Sequence, residues 1–232
     1  MTSSISYAFE RRSARQRAAE LTNLDRARRA LNVSVALVGL LTGLPVMAVI
    51  SVLVRLTSPG PVFYVQTRIG LDRRRGRHRG GAAGRDRDLG GRPFRIYKFR
   101  TMRVQAAEVQ TWARPDDDRV TPVGRVLRKF RLDELPQLLN VLRGDMNVVG
   151  PRPEQPEIFA DLRKRVDRYT WRQRVLPGIT GWAQVNAGYD RNVDDVRRKL
   201  DFDLEYLSRR SPYEDARIML RTVPVMLGRR GW

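Results

Sequence analysis

The chain has 232 residues, no cysteine, one histidine (His78) and a formal net charge of +20, from 45 Lys plus Arg against 25 Asp plus Glu. The absence of cysteine excludes a disulfide scaffold and thiolate chemistry, and a lone histidine inside an Arg/Gly run argues against a His-based metal centre or a Ser-His triad. The length suits one core-bearing domain with a membrane-binding part, and the charge calls for an anionic partner: nucleic acid, anionic lipid or a phosphorylated substrate.

Residues 8 to 30 are basic and Ala-rich, and suit a helix at a membrane surface with its arginines toward lipid phosphates. Residues 30 to 54, ALNVSVALVGLLTGLPVMAVISVLV, carry no charge and at ~1.5 Å per residue are long enough for a hydrocarbon core of ~30 Å. This run begins too late for a cleaved signal peptide, and no convincing small-residue cleavage site follows it. Pro45 lies near its middle, with Gly39 and Gly43 close by, so a bend is expected there. Both flanks are basic: Arg26, Arg28 and Arg29 before, Arg55, Arg68 and Arg73 to Arg75 after. Since Lys and Arg favour the cytoplasmic side, a bent helix that enters and leaves on one side is expected over a plain span.

Residues 61–70 and 93–99 read as partner strands, the second alternating Phe94 and Ile96 against Arg95 and Tyr97. Between them, residues 71–91 form a Gly- and Arg-rich insert, expected to be a flexible solvated loop. Residues 104–113 look helical. RPDDDRVTP (114–122) reads as an acidic solvated turn, because adjacent side chains on a loop seldom converge on a metal.

The most informative stretch is GRVLRKFRLDELPQLLNVLRGDMNVVGPRPE, residues 124–154. Leu132, Leu135, Leu138, Leu139 and Leu142 repeat at three and four residues, which predicts a helix face. Pro136 belongs in a first turn and Gly144 marks the stop, so Asp133 and Glu134 fall at or near a helix N-terminus, where the dipole favours carboxylates. A positioned, ionised Asp can attack phosphorus. A neighbouring Glu can hold a divalent cation, and the surrounding arginines can grip phosphate oxygens. The prolines around Arg152 restrict the backbone that carries it.

Helices are expected from Pro156 to Arg168, over 193–208 with Val196, Leu200, Leu204 and Leu207 on one face, and over 213–227 with an interruption near Pro224. Between the first two, YTWRQRVLPGITGWAQVNAG (169–188) is rich in Gly and aromatics. Gly178 and Gly181 suit tight turns, and Trp171, Trp182, Gln184, Arg172 and Arg174 are candidates for the site without individual roles.

Four segments, SPGPVFYVQTRIG (58–70), RPFRIYKFRTM (92–102), TPVGRVLRKFRLDELPQLLNVLRGDMNVVGPRPE (121–154) and VLPGITGWAQVNAG (175–188), are ordered and spaced as in a known family. The chain resembles the bacterial sugar transferases of the monotopic phosphoglycosyl transferase type. The resemblance implies a mixed α/β, largely helical monotopic membrane protein: a basic segment 1–29, a re-entrant membrane helix 30–56 kinked at Pro45 (a Leu44-Pro45 pair where the family often has Ser-Pro), and a catalytic domain 57–232 on the cytoplasmic face of the bacterial inner membrane. It implies transfer of a sugar-1-phosphate from a UDP-sugar to polyprenyl (undecaprenyl) phosphate, releasing UMP, by a ping-pong route. In that route Asp133 is the nucleophile, Glu134 helps to bind Mg2+, and Lys98, Arg100, Arg128 and Arg152 bind phosphate. Implied partners are anionic lipids, downstream glycosyltransferases of exopolysaccharide assembly and a second copy in a homodimer, but no nucleic acid. Two other readings compete. A basic nucleic-acid-binding protein predicts binding that falls steeply with salt and leaves residues 30–54 unexplained. A noncatalytic membrane scaffold predicts indifference to loss of Asp133.

Overall fold

The computed structural model describes residues 2–72, 90–103, 117–188 and 192–227, with side chains from Asn23 to Met226. Most of the 71–91 insert, His78, the expected helix over 104–113, residues 114–116 of the acidic turn and the GRRGW end lie outside the described residues. The architecture is mixed and mainly helical. In chain order it comprises α1 (Thr2–Thr57), β1 (Phe63–Ile69), β2 (Pro93–Phe99), α2 (Pro122–Lys129), α3 (Gln137–Arg143), β3 (Asn147–Val149), α4 (Pro156–Arg165), β4 (Gly178–Thr180), α5 (Trp182–Asn186), α6 (Val193–Arg209) and α7 (Pro212–Leu227), with 3-10 turns at Leu132–Glu134 and Tyr169–Arg174. The strands β1 and β2 pair antiparallel with Phe63 opposite Phe99, as the alternation predicts. The short parallel pair β3–β4 was not foreseen, because three-residue strands leave no periodicity to read. The helix expected to 168 ends at Arg165, and α7 runs on through Pro224.

The basic segment and the apolar run are one helix. Its stretch Asn23–Thr57 is long and apolar enough to cross a membrane, with a mean hydropathy of 2.5. It does not stand apart from the rest. Ile50 and Val54 pack with Phe99 and Leu127, Ala36 joins the main core with Val141 and Ile218, and Gly39 lets Leu138 come close. The opposite side leaves Leu37, Val38, Leu41, Leu44, Val49, Val52 and Leu56 exposed.

The arginines expected to face lipid phosphates are placed otherwise at two positions. Arg28 is buried and donates to Asp215 (3.2 Å) and to the Tyr206 hydroxyl (2.5 Å) on α7 and α6. Arg29 donates to the carbonyls of Val141 (2.5 Å) and Met146 (3.1 Å), which neutralises the C-terminal end of α3. Asn32 completes the joint: its amide nitrogen reaches Asp215 (3.1 Å) and its oxygen accepts from the Val148 amide (2.7 Å). Arg28, Asn32 and Asp215 are polar and buried, and each has a partner, so the joint is directional as well as apolar.

The sheet edge is closed by a side chain. Asn140 is fully buried; its nitrogen donates to the Arg95 carbonyl (2.7 Å) and its oxygen accepts from the Tyr97 amide (3.2 Å), as a neighbouring strand would. This fixes α3, and the turn before it, against β2.

Candidate active site

The site grows from the junction of α2 and α3. Thr121 caps α2 by accepting from the Gly124 amide (2.9 Å). Gly124 lies on the backbone of Thr101, where a Cβ would collide. After Phe130 the chain reverses at Arg131, which takes the left-handed conformation (φ 56°), and enters the 3-10 turn that carries Asp133 and Glu134. The expected leucine helix is thus two pieces: Leu132 and Leu135 pack toward α1 and α2, while Leu138 and Leu142 pack on α3's side of the main core. Gly144 ends α3 in the left-handed conformation (φ 82°), as expected.

Both carboxylates are buried, with exposures of 7% for Asp133 and 5% for Glu134. Their environments differ. Glu134 Oε1 accepts from Lys98 Nζ (2.9 Å) and Arg152 Nη2 (2.8 Å), with Arg131 Nη1 at 4.0 Å. Burial opposes ionisation of Glu134, yet Arg152 and Lys98 together hold its pKa well below the usual carboxylate range. Asp133 is raised above that range by burial and by the charge of Glu134, against the pull of Lys98, Arg131 and Arg128. Its Oδ1 is buried without a hydrogen-bond partner. Burial also lowers the Lys98 ammonium, against the opposing pull of Glu134. One carboxylate is therefore locked as an anion and the other is left open, an asymmetry typical of sites in which two acids do different work.

Of the residues expected to bind phosphate, the fold brings Lys98 and Arg152 onto Glu134. Arg128 donates Nε to Thr101 Oγ1 (2.8 Å) and is close enough to favour the Asp133 anion. Arg100 is spent elsewhere. It is buried and donates to the carbonyls of Pro59 (2.6 Å) and Ser58 (2.7 Å), just past the end of α1. A spacing of two from Lys98 would put both on one face of an ideal strand, but Arg100 follows the last residue of β2 and turns toward α1. In the expected solvated turn Asp118 is exposed, while Asp117 is half-buried and paired: hydrogen bonds from Arg119 (2.8 and 2.6 Å) lower its pKa to about 2.

Two arginines not assigned a role from sequence hold the Pro151–Pro153 loop. Arg172 donates Nη2 to the Arg152 carbonyl (3.0 Å), and Arg68 donates Nη1 to that of Pro153 (3.2 Å). Arg172 is itself held by Glu154 (3.2 Å), the Tyr169 hydroxyl (2.5 Å) and Asp203 (2.9 Å). Burial lifts Asp203 to about 6 despite Arg172. Arg174 instead stacks over Trp171, 4.1 Å from the ring centre. Gly178 and Gly181, expected to serve turns, have no positive φ; both lie against the backbone of Gly150, where any side chain would collide.

A buried carboxylate pair in a ring of cations, its two members pushed to opposite sides of the ordinary carboxylate range, marks a candidate functional site. The family profile described as bacterial sugar transferase matches residues 24–229, and the chain belongs to that family. It is 40% identical over 210 residues to a UDP-glucose:undecaprenyl-phosphate glucose-1-phosphate transferase of Caulobacter vibrioides, covering 88% of this chain and 71% of the relative. It is 39% identical over 202 residues to a UDP-N-acetylgalactosamine-undecaprenyl-phosphate N-acetylgalactosaminephosphotransferase of Aeromonas hydrophila, covering 86% of this chain. It is also 39% identical over 199 residues to a UDP-glucose:undecaprenyl-phosphate glucose-1-phosphate transferase of Escherichia coli K12, covering 84% of this chain. The chain spans 43% and 39% of the length of these last two relatives.

Proposed function

We propose that this chain transfers a sugar-1-phosphate from a UDP-sugar to a polyprenyl phosphate such as undecaprenyl phosphate, through a covalent intermediate on Asp133. The observation that carries the covalent step is the unpartnered, buried Asp133 Oδ1 beside a Glu134 whose Oε1 is held by Lys98 and Arg152. In the first half-reaction an Asp133 carboxylate oxygen bonds to the β-phosphorus of the donor. The bond from that phosphorus to the bridging oxygen breaks, and its electron pair leaves on UMP. In the second, an oxygen of the lipid phosphate attacks the same phosphorus and the Asp133 carboxylate is released. Arg152 and Lys98 bring positive charge to the diphosphate, and Arg128 favours the attacking anion.

Mg2+ fits these residues. It binds through one or two carboxylates and completes its shell with waters and substrate phosphates. Asp133 and Glu134 are adjacent, and no larger cluster of acidic or His ligands exists among the described residues. Glu134 would hold the ion, whose charge offsets that of the diphosphate. Mass spectrometry of the detergent-purified protein, incubated with Mg2+ and either UDP-glucose or UDP-N-acetylgalactosamine and no lipid, tests the reading. A sugar-phosphate adduct on Asp133 is expected. Turnover with lipid but no adduct without it would sink the covalent route.

The membrane placement that we propose rests on α1. A helix standing across the bilayer would draw into hydrocarbon the charged elements packed along it from Arg28 to Val54. Pro45 lies inside one continuous helix; with only its outer apolar face given to lipid, α1 would leave and re-enter the same side by bending there. This supports a re-entrant anchor carrying the body of the fold at the cytoplasmic face. It also brings the carboxylates to the depth of the acceptor's phosphate. The native chain lacks cysteine, so Asn23→Cys and Thr57→Cys can be labelled singly in right-side-out and inverted membrane vesicles. Both are expected to react with a membrane-impermeant maleimide only in inverted vesicles; reaction from opposite sides would establish a plain span.

A further inference from the structure

The loop 151–154 is restrained at every carbonyl. Pro151 accepts from the Gly178 amide (2.9 Å), Arg152 from Arg172 Nη2 (3.0 Å), Pro153 from Arg68 Nη1 (3.2 Å) and Glu154 from the Ile69 amide (2.9 Å). Two of these four donors are backbone groups of neighbouring strands or their ends. The other two are arginine side chains reaching in from outside the loop. Arg172 is 8% exposed and sits in a buried cage of Tyr169, Glu154 and Asp203.

A guanidinium in such a place is costly unless its partners are well placed, because burying a charge carries a large desolvation penalty. The cage meets that condition, and its effect is directed at one backbone atom. The residue owning that atom sends its own guanidinium to Glu134 at 2.8 Å. A loop with two prolines and four satisfied carbonyls has few ways to move, so the Arg152 head group is presented at a fixed place.

Resting on the function proposed above, we propose that Arg172, assisted by Arg68, is a positioning residue: it sets where Arg152 meets Glu134, and so where the donor's diphosphate is gripped. Neither arginine pairs with Asp133 or Glu134 in the contacts described. Arg172 acts on the reaction through Arg152, whereas Arg68 also lies within reach of the Glu134 charge. Lysine at 172 keeps the charge but replaces a planar fork with a single ammonium, which cannot serve Glu154, Tyr169, Asp203 and the Arg152 carbonyl together.

The test is a double-mutant cycle on the detergent-purified protein with undecaprenyl phosphate as acceptor, reading kcat/KM for UMP release from UDP-glucose or UDP-N-acetylgalactosamine, whichever the native protein turns over. Arg172→Lys is expected to lower kcat/KM by about ten- to a hundredfold, the scale of a small misplacement of a catalytic contact. In an Arg152→Ala background the same change is expected to cost less than about threefold, because the group it positions is gone. A full additional loss in that background overturns the proposal, as does native kcat/KM in the single variant. Hydrogen exchange of segment 150–155 supplies a readout apart from activity. Faster exchange there in Arg172→Lys is expected, and unchanged exchange overturns the proposal even if Arg152→Ala is too slow to assay. Should Arg172→Lys fail to fold, Arg68→Lys, which releases the Pro153 carbonyl and the Gln66 side chain but keeps the charge near Glu134, takes its place under the same criteria. If the native protein releases no UMP from either donor, the functional reading falls, and the exchange result still decides the positioning role.

Discussion

Asp133→Asn is expected to slow UMP release by on the order of a thousandfold or more, with the fold intact and the sugar-phosphate adduct gone. The side chain keeps its size, so the loss isolates the missing negative oxygen. Burial and Glu134 raise the Asp133 pKa above the ordinary carboxylate range, and a raised acid is protonated at higher pH than usual. The acid limb of kcat/KM should therefore lie above ~4, the value for an unperturbed aspartate. Lys98 acts the other way, favouring the Asp133 anion. Lys98→Met should move the acid limb further toward alkaline pH, besides weakening donor binding. An acid limb that stays put in Lys98→Met would show that the limb belongs to another group. A rate in Asp133→Asn close to the native one would favour the noncatalytic scaffold reading instead.

The second large effect is on stability. At Gly178 a Cβ would run into the Gly150 amide nitrogen and the Thr180 carbonyl, both of them backbone in the β3–β4 pair. Backbone cannot swing aside as a long side chain can. Gly178→Ala should therefore destabilise the fold by ~3 kcal/mol, the upper part of the usual range for overpacking. For a chain of this size that is a fall in melting temperature of roughly 6–12 °C. Because the Gly178 amide also holds the Pro151 carbonyl, activity should fall even below the new melting temperature. Gly43 is the control: a Cβ there meets nothing within 4 Å, and Gly43→Ala should leave melting within ~1 kcal/mol of native or raise it slightly.

What could be read from the sequence followed local chemistry. The Asp133–Glu134 pair, the stop at Gly144, the two long strands and the α6 face all depend on neighbours within a few positions, and periodicity or dihedral preference exposes them. The destinations of the arginines do not. Arg28 finds Asp215 at a separation of 187 residues and Arg172 finds Asp203 and the Arg152 carbonyl; an isolated arginine in sequence looks the same whether it meets lipid, carboxylate or carbonyl. Arg100 shows this most sharply. Its two-residue spacing from Lys98 suggests a shared task, but the strand ends between them and Arg100 goes to the carbonyls past α1. Likewise Gly178 and Gly181 could be marked from sequence as requiring glycine, but not whether the need was for a turn or for room.

The joint among Arg28, Asn32, Tyr206 and Asp215 bears on how the protein can be handled. Cutting the chain after residue 57 to obtain a detergent-free fragment would strip Phe99 and Leu127 of their cover and leave Asp215 and Tyr206 sealed in without their cation. The anchor is thus a load-sharing beam of the folded body, and solubilisation has to be sought by masking its greasy outer side rather than by amputation.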